Sequence, residues 1–278
     1  MPDKPILLTT KEMALFVHQG FLRFDEVVPR DLCDRARKDF SDLGPRVWEK
    51  GGTAWDEMWR DRAIGEVFRL PRVEGIINSL VGPHPRYDHH AVHFVGAKQK
   101  FGANLHQDAE YDVRDLAFDV QFSVFLTDIG PERGGTLFVP GTHLRRVHES
   151  QISRYHNVLG QIQTVCKAGT VFVWHHNVWH SSRSNHTTED RHMFKLRLNA
   201  NVPQVRLWDC SDLEKAKTKD EVIRILSEVH PLDGQEHRLA HIQKIRLWRH
   251  LSGDPTFDFW SYLYRLGAGS LSLGRGQG

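Results

Sequence analysis

The chain has 278 residues, a formal net charge of +2 and 40% hydrophobic residues. These values are typical of a globular protein with a sizeable core, and they exclude a disordered chain or a strongly basic polyanion-binding protein. No dense basic stripe interleaved with aromatic residues occurs, so we expect no nucleic-acid partner. No run of about 18 apolar residues could span a bilayer, and the N-terminal segment lacks the apolar run of a signal peptide. We therefore expect a cytoplasmic protein with no membrane partner.

Cysteine and histidine content narrows the class further. The three cysteines, Cys33, Cys166 and Cys210, are far apart and odd in number, which favours a reducing compartment over a disulfide framework. The 18 histidines are an unusually large number and invite a metal hypothesis. Since most histidines in any protein are surface or packing residues, position has to decide which of them bind a metal.

The N-terminal segment 9–82 is predicted to be mainly helical. Thr9 and Glu12 have the spacing of a capping box, which favours a helix that ends at Gly20, before the strand-like stretch FLRFDEVV. Further helical stretches follow, and the segment 44–59 between them has the composition of a loop. Its tryptophans either form a lid over a site or pack onto the core; they are Trp48, Trp55 and Trp59.

From residue 87 the pattern changes to short strands. Stretches such as VQFSVFLTDI, GTVFVWH and HMFKLRLNANV are rich in β-branched and aromatic residues and are separated by Gly, Pro and Asp. We therefore predict a mainly β core, of the sandwich or barrel type, over about 87–205. The tail 267–278 is small and polar, and we expect it to be disordered.

The pattern returns to helix after the β core, over 211–266. Apolar residues recur there at helical spacing, and we expect them to lie in the core or in a homodimer interface rather than in a cofactor site; they are Ile223, Ile225, Leu226, Leu239, Ile242 and Ile245. No internal repeat occurs. Residues 1–266 are therefore predicted to form a single domain, with helices on both sides of the β core in the sequence.

The stretch LHQDAEYD places His106 two residues before Asp108. Side chains two apart in an extended chain share a face, so both can reach one cation, although such a short motif is common by chance. A second segment, VFVWHHNVWHSSRSNHTTEDR, offers His180 as a third ligand and Arg191 eleven residues later. Two imidazoles and one carboxylate on one side of a metal are the facial triad of non-haem Fe(II) oxygenases, which leaves adjacent coordination positions open.

The order and context of these residues resemble a known family, the phytanoyl-CoA dioxygenase-like (PhyH) oxygenases. LHQDAEYD is similar to their first metal-binding segment, and AGTVFVWHHNVWHSSRSNHTTEDR resembles their distal segment. VQFSVFLTDIGPERGGTLFVPGTHL resembles a strand, turn and strand ending in Pro-Gly-Ser-His, with Thr142 in place of the serine. The resemblance covers about 87–200. It implies a double-stranded β-helix, a jelly-roll or cupin-like barrel, and an Fe(II)/2-oxoglutarate-dependent dioxygenase with O₂ as cosubstrate.

The resemblance also implies roles for individual positions. His106, Asp108 and His180 would bind Fe(II), with no catalytic residue beyond this triad. Arg191 and Ser182 would hold the distal carboxylate of 2-oxoglutarate, a task that suits a planar guanidinium. The carboxylate at position 108 disfavours halogenation, because the related halogenases have a small residue there to make room for chloride.

Other residues near the motifs are predicted to contact the cosubstrate or the substrate. On the strand before the first motif, relatives often have a Gln or Lys that helps to bind the cosubstrate. This chain offers His89 and His93 instead, on one face of that strand. The predicted substrate contacts are Gln107, Tyr111, Trp174 and Arg183. We expect three further histidines, His143, His175 and His176, to brace turns or to pack beside the site.

The function implied by the resemblance is oxidation of a small organic metabolite, in the simplest case hydroxylation, with release of succinate and CO₂. Desaturation, cyclisation and epimerisation need the same cofactors and stay open. Two alternatives belong to other classes: a zinc hydrolase with the same ligands and Glu110 as its base, and a non-catalytic metal-binding barrel. A non-catalytic barrel does not explain Arg191 with Ser182, because a purely structural site has no need of a carboxylate clamp. For the hydrolase, no residue near the triad other than Glu110 offers a general base.

Overall fold

The computed structural model describes residues 4–48, 55–108, 116–145 and 147–259, so the tail 267–278 lies outside the described residues. The described α-helices are α1 Thr10–Gln19, α2 Arg30–Leu43, α3 Ala63–Phe68, α4 Pro71–Val81, α5 Ala216–Ser227 and α6 His237–Ser252. The described strands are β1 Phe21–Phe24, β2 Arg86–Val95, β3 Val120–Phe125, β4 Thr136–Phe138, β5 Ile162–Gln163, β6 Val171–His175, β7 His180–Ser182 and β8 Arg191–Asn199.

Local signals set both ends of the first helix. Thr9 Oγ1 accepts a hydrogen bond from the Glu12 backbone at 3.2 Å, and the Thr9 backbone donates to Glu12 Oε2 at 2.8 Å, which is the predicted capping box. At the other end, Gly20 has a φ of 85° and its N–H donates to the Phe16 carbonyl. Glycine adopts this left-handed conformation without strain, so the helix ends immediately before β1 begins.

The strands form two antiparallel sheets. The larger sheet has the order β1-β6-β3-β8-β2 and the smaller one the order β5-β4-β7. Phe138 of β4 packs against Phe172 and Trp174 of β6, so the sheets face each other across an apolar interior. Among the described residues, hydrogen bonds do not close them into a continuous barrel. The predicted β core with flanking helices is confirmed, and β1, which precedes 87–205 in the chain, adds an edge strand to it.

The larger sheet separates two environments. Val120 and Phe122 of β3 belong to the main hydrophobic core, which also contains residues of the helices. Phe125 belongs to the interior between the two sheets. Because successive side chains of a strand alternate between faces, Gln121 and Ser123 share the interior face with Phe125. The same alternation on β6 and β8 gives the interior a mixed lining of aromatic and charged side chains.

Trp55 and Trp59 of the segment 44–59 pack onto the larger sheet, whereas the side chain of Trp48 lies outside the described part of the chain. Trp55 stacks on Tyr87 with ring centroids 4.4 Å apart, and Trp59 meets Phe194 edge-on at 5.1 Å. Their exposed fractions are 4% and 0%. They therefore support the helical side of the sheet, away from the interior, and for these two residues packing replaces the alternative of a lid.

The C-terminal helices α5 and α6 pack against α1. Three residues of the apolar pattern, Ile225, Leu226 and Ile245, are buried within the chain itself, whereas Leu239 is 56% exposed. Much of the pattern is thus intramolecular core, and a homodimer interface stays a prediction. None of the described helices combines the length and hydropathy needed to cross a bilayer.

A group of buried basic side chains joins α1, α6 and the turn after β4. The rings of His18 and His230 stack with centroids 4.0 Å apart, and Lys244 Nζ lies 3.1 Å from His18 Nδ1. His143, in the turn, is only 4% exposed. Burial, reinforced by nearby positive groups, lowers the pKa of His18 to about 2 and that of His143 to about 3. Both imidazoles are therefore neutral at pH 7.

Because these buried histidines are neutral, we predict that the free energy of unfolding decreases as the pH falls from 7.5 to 5.5. In the unfolded chain the histidines take up protons near pH 6.5, but in the folded chain they stay neutral down to about pH 3. Their stabilisation is complete above the unfolded pKa and is lost below it, by about 1.4 kcal/mol per pH unit for each histidine. Urea unfolding with a chelator present measures this loss, and His18→Gln should reduce it. Equal midpoints at both pH values would contradict the prediction.

Candidate metal centre

A β-bridge brings the two motif histidines together although they are far apart in sequence. The His106 N–H donates to the His180 carbonyl at 2.9 Å, and the His180 N–H donates to the His106 carbonyl at 2.8 Å. Their imidazole centroids lie 4.3 Å apart. The backbone therefore positions one ligand candidate against the other before any metal contributes.

Both imidazoles are held in the same way. His106 Nδ1 lies 2.8 Å from the Asn104 carbonyl, and His180 Nδ1 lies 2.9 Å from the Val178 carbonyl. A carbonyl can only accept, so Nδ1 carries the proton in each ring, and this leaves the Nε2 lone pair free. A carbonyl acceptor on the second ring nitrogen is the arrangement that orients metal-bound histidines.

Asp108 completes the candidate site from the same extended stretch as His106. Its backbone N–H donates to the His176 carbonyl at 3.0 Å, and its Oδ2 lies 3.4 Å from His180 Nε2. Ligand atoms of His106, Asp108 and His180 all lie within 4.8 Å of one another. Two imidazole nitrogens and one carboxylate form the donor set that suits Fe(II) with open positions.

Two residues of the larger sheet hold the Asp108 carboxylate. Lys195 Nζ lies 3.0 Å from Oδ1, and Trp174 Nε1 lies 3.3 Å from Oδ2. Lys195 was not among the site residues predicted from the sequence. The signal was present, since Lys195 follows Arg191 by four residues on one predicted strand and therefore shares its face. Trp174 was predicted to contact substrate, and the structure places it, 1% exposed, against the ligand carboxylate.

Electrostatics favour the metal-binding protonation states at neutral pH. Burial by itself would raise the pKa of the Asp108 carboxyl, but His180 and Lys195 hold it well below its usual range. Burial lowers the pKa of His180 to about 4, although the Asp108 carboxylate acts in the opposite direction. The site therefore presents a carboxylate and a neutral imidazole, which are the forms that bind a metal.

Arg191 begins β8 and points into the interior. Its side chain is 2% exposed and donates through Nη1 to the Gly134 carbonyl, and burial lowers its pKa to about 10. Among the described residues no acidic group pairs with it, and its Nε has no hydrogen-bond partner. A buried guanidinium with unused donors fits the distal carboxylate of 2-oxoglutarate.

Of the other predicted cosubstrate contacts, His93 lies on β2, which pairs with β8, and Ser182 lies on β7 of the smaller sheet. His93 faces Met193 across the β2–β8 pair, and its buried Nε2 has no partner among the described residues. Burial, with Lys195 and Arg191 nearby, lowers the pKa of His93 to about 3. Ser182 Oγ accepts a hydrogen bond from the Ala103 backbone at 2.8 Å, which leaves its own proton free to donate. The side chain of His89 lies outside the described residues.

Two predicted substrate contacts, Gln107 and Arg183, have their described contacts with residues outside the triad. Gln107 is 4% exposed and donates to the Val147 carbonyl at 2.9 Å, so it anchors a neighbouring loop. Arg183 is exposed, contacts Asn157 Oδ1 at 3.3 Å and lines a surface cavity. Each follows a ligand or Ser182 by one position, and alternation directs such a residue to the opposite face. Tyr111 lies outside the described residues.

The Pro-Gly-Thr-His turn supports His180 indirectly. Thr142 Oγ1 donates to the Val139 carbonyl at 2.6 Å and accepts from the Trp179 backbone at 2.9 Å, so the threonine hydroxyl ties the turn to the residue before His180. His176 Nδ1 lies 2.9 Å from the Asp119 backbone. The ring of His143, in the turn, lies 5.3 Å from that of His175, and the roles predicted for His143, His175 and His176 stay predictions.

Comparison with known proteins gives one family match and several similar structures. The family model described as Phytanoyl-CoA dioxygenase (PhyH) matches residues 16–193. The non-heme alpha ketoglutarate dependent carbocyclase SnoK from nogalamycin biosynthesis has 18% identity over 71% of this chain and 87% of its own, with a TM-score of 0.56. EctD from S. alaskensis with 2-oxoglutarate and 5-hydroxyectoine has 17% identity over 72% of this chain and 78% of its own, with a TM-score of 0.55. The epimerase SnoN has 18% identity over 68% of this chain and 81% of its own, with a TM-score of 0.53. No curated protein sequence shows significant similarity to the chain.

The structural similarities, at these low identities, show the fold. The family match covers more than half of the chain and contains His106, Asp108, His180 and Arg191. It confirms the predicted enzyme class and the predicted cofactors, Fe(II) and 2-oxoglutarate, which the donor set and the unpaired guanidinium fit. The chain therefore belongs to the phytanoyl-CoA dioxygenase (PhyH) family of Fe(II)/2-oxoglutarate-dependent oxygenases.

Proposed function

We propose that this oxygenase hydroxylates a small organic molecule, with Fe(II) bound by His106, Asp108 and His180. One observation carries the proposal: the three ligand candidates and the buried Arg191 without an acidic partner line the same interior. In this assignment Arg191 clasps the distal carboxylate of 2-oxoglutarate, and Ser182 donates its free proton to that carboxylate.

Bound Fe(II) and 2-oxoglutarate supply the oxidation, in which O₂ and 2-oxoglutarate are converted to succinate, CO₂ and a hydroxyl group on the substrate. The chain's own residues position these groups. The Nδ1 hydrogen bonds of His106 and His180 fix the direction of both Nε2 lone pairs. Lys195 and Trp174 each hold one oxygen of Asp108, so its carboxylate cannot rotate freely. The aromatic lining of the interior keeps bulk water from the site.

Hydroxylation is proposed rather than desaturation, cyclisation or epimerisation because it requires the fewest additional protein groups. Epimerisation requires a hydrogen donor on the opposite face of the substrate, typically a tyrosine or a cysteine. Among the described residues, the side chains that contact the Asp108 carboxylate are those of His180, Lys195 and Trp174, and none of the three is a tyrosine or a cysteine. SnoK and SnoN, a carbocyclase and an epimerase, share the fold, so the fold by itself does not select one reaction outcome.

The zinc hydrolase and the non-catalytic barrel have no supporting observation. Neither uses the unpaired Arg191, and burying an unpaired guanidinium costs several kcal/mol unless a ligand compensates it. Glu110, the base that the sequence offers for a hydrolase, lies outside the described residues. For location we propose the cytoplasm, since Cys33, Cys166 and Cys210 are all free thiols in the structure.

An anaerobic titration tests the proposed function. Adding Fe(II) and 2-oxoglutarate to the metal-free protein should produce the weak visible charge-transfer band of a chelated 2-oxo acid, and admitting O₂ should then release succinate slowly even without substrate. Zinc in place of Fe(II) should give neither signal. A correctly folded protein that shows no band and forms no succinate would contradict the proposal.

A further inference from the structure

Lys195 is a buried cation to which the proposed function assigns only the contact with Asp108. Its side chain is 10% exposed, and its Nζ lies 3.0 Å from Asp108 Oδ1 and 5.8 Å from the centre of the Trp174 ring. Asp108 Oδ2 lies on the side of His180, so Asp108 can bind a metal through Oδ2 while Oδ1 keeps its contact with Lys195. Lys195 therefore lies directly beside the position of the metal.

Gln121 is the second unexplained residue of the interior. Its side chain is 0% exposed, and neither its amide nitrogen nor its amide oxygen has a hydrogen-bond partner among the described residues. Leaving such groups unsatisfied costs about 1–3 kcal/mol each. A buried polar group without a partner calls for an explanation, and a bound ligand is one.

The sheet register places these two residues on one patch. On β3, Gln121 pairs with Arg197 and Ser123 pairs with Lys195, so Gln121 and Lys195 are diagonal neighbours on the interior face. On the other side Gln121 pairs with Trp174, whose ring contacts both Lys195 and Asp108. The amide, the ammonium group and the indole are thus neighbours on the interior face of the larger sheet, and two of them contact Asp108.

The charges of the interior leave Lys195 without a counter-charge once the cofactors are bound. A divalent metal and Arg191 together offset Asp108 and the two carboxylates of 2-oxoglutarate. Arg197, the other described cation on this face, already pairs with Asp88 at 3.0 Å and Asp119 at 3.5 Å. When Asp108 also binds the metal, its negative charge is shared between the metal and Lys195. A buried ammonium group in that situation is unfavourable unless another anion approaches it.

We infer that Lys195 and Gln121 form a subsite for a carboxylate of the substrate, so that the enzyme acts on a small organic acid. This inference rests on the proposed function. In the subsite Lys195 provides the charge and Gln121 provides an N–H donor to the second carboxylate oxygen. Because Lys195 Nζ contacts a metal ligand itself, the carbon that is oxidised lies only a few bonds from this carboxylate.

The test compares three probes of equal chain length whose head groups are anionic, neutral and cationic: pentanoate, pentanamide and pentylamine. Each is added anaerobically to the protein loaded with Fe(II) and 2-oxoglutarate, and the shift of the charge-transfer band gives its apparent Kd without turnover. The wild type should bind pentanoate at least about tenfold more tightly than pentanamide. Lys195→Gln, which keeps a donor for Asp108, should abolish this preference. Lys100→Gln, a change at an exposed lysine outside the interior, should leave it unaltered.

Gln121→Glu provides an independent variant that does not touch a metal ligand. The new carboxylate would neutralise Lys195 from within, so pentanoate should lose its advantage and pentylamine should gain affinity. A normal band combined with an unchanged pentanoate to pentanamide ratio in both variants would overturn the subsite alone. A wild-type protein without the band would overturn the proposed function and the subsite with it.

Discussion

Replacing Asp108 with alanine should weaken Fe(II) binding by more than about a hundredfold and stop succinate formation. Groups that only orient metal ligands contribute about 10- to 100-fold to metal affinity, and a ligand contributes more. The same substitution should also lower stability, by about 3–5 kcal/mol, because it leaves the buried Lys195 without its partner. Metal titration followed by fluorescence, and urea unfolding of the metal-free protein, measure the two effects.

A double variant separates these two consequences. Asp108→Ala combined with Lys195→Met removes both charges, so stability should return towards the wild-type value while metal binding stays lost. Asp34→Ala, a change at an exposed ion pair with Arg37 on α2, serves as the matched control and should alter neither property. Fe(II) affinity within a few-fold of wild type in Asp108→Ala would rule out Asp108 as a ligand.

Replacing Arg191 with leucine should weaken 2-oxoglutarate binding by about a hundredfold or more and leave Fe(II) binding nearly unchanged. Removing one partner of a buried charge pair typically costs about 3–5 kcal/mol, and each 1.36 kcal/mol corresponds to a factor of ten. Arg191→Lys should bind the cosubstrate better than leucine but worse than arginine, because an ammonium group cannot make the bidentate contact. The measurement is the 2-oxoglutarate dependence of the charge-transfer band.

The stability of Arg191→Leu provides a second and opposite readout. Without cosubstrate, the buried guanidinium has an unsatisfied Nε and a lowered pKa caused by burial, so leucine should leave the unfolding midpoint unchanged or raise it. Arg183→Leu, at the exposed arginine nearby, should change neither cosubstrate affinity nor stability. A large loss of stability together with normal 2-oxoglutarate affinity would assign Arg191 a purely structural role.

The candidate metal ligands could be proposed from the sequence because local rules determine part of the site. The two-residue spacing of His106 and Asp108 places them on one face of any extended segment. The capping box at Thr9 and the glycine at position 20 determine α1 in the same local way. Local rules were not sufficient to associate His180 with this site, because only the resemblance of its segment to a family segment related it to His106.

Predictions of single contacts depend on the direction of each side chain, which sequence neighbourhood does not give. Gln107 and Arg183 were proposed as substrate contacts because they neighbour functional residues in sequence. In the structure Gln107 donates to the Val147 carbonyl and Arg183 contacts Asn157, so their contacts with substrate stay predictions. The tryptophans at 55 and 59 had two possible roles, and packing against the larger sheet decided between them.

The amino-acid sequence by itself determined the class of chemistry, through the types and order of His106, Asp108, His180 and Arg191. The tertiary structure decided what surrounds them. Lys195 and Gln121 lie on strands whose neighbours are set by the register of β3, β6 and β8, and that register depends on pairing between segments distant in the chain. Local periodicity shows which residues share a face, but only long-range strand pairing brings faces of different strands to one site.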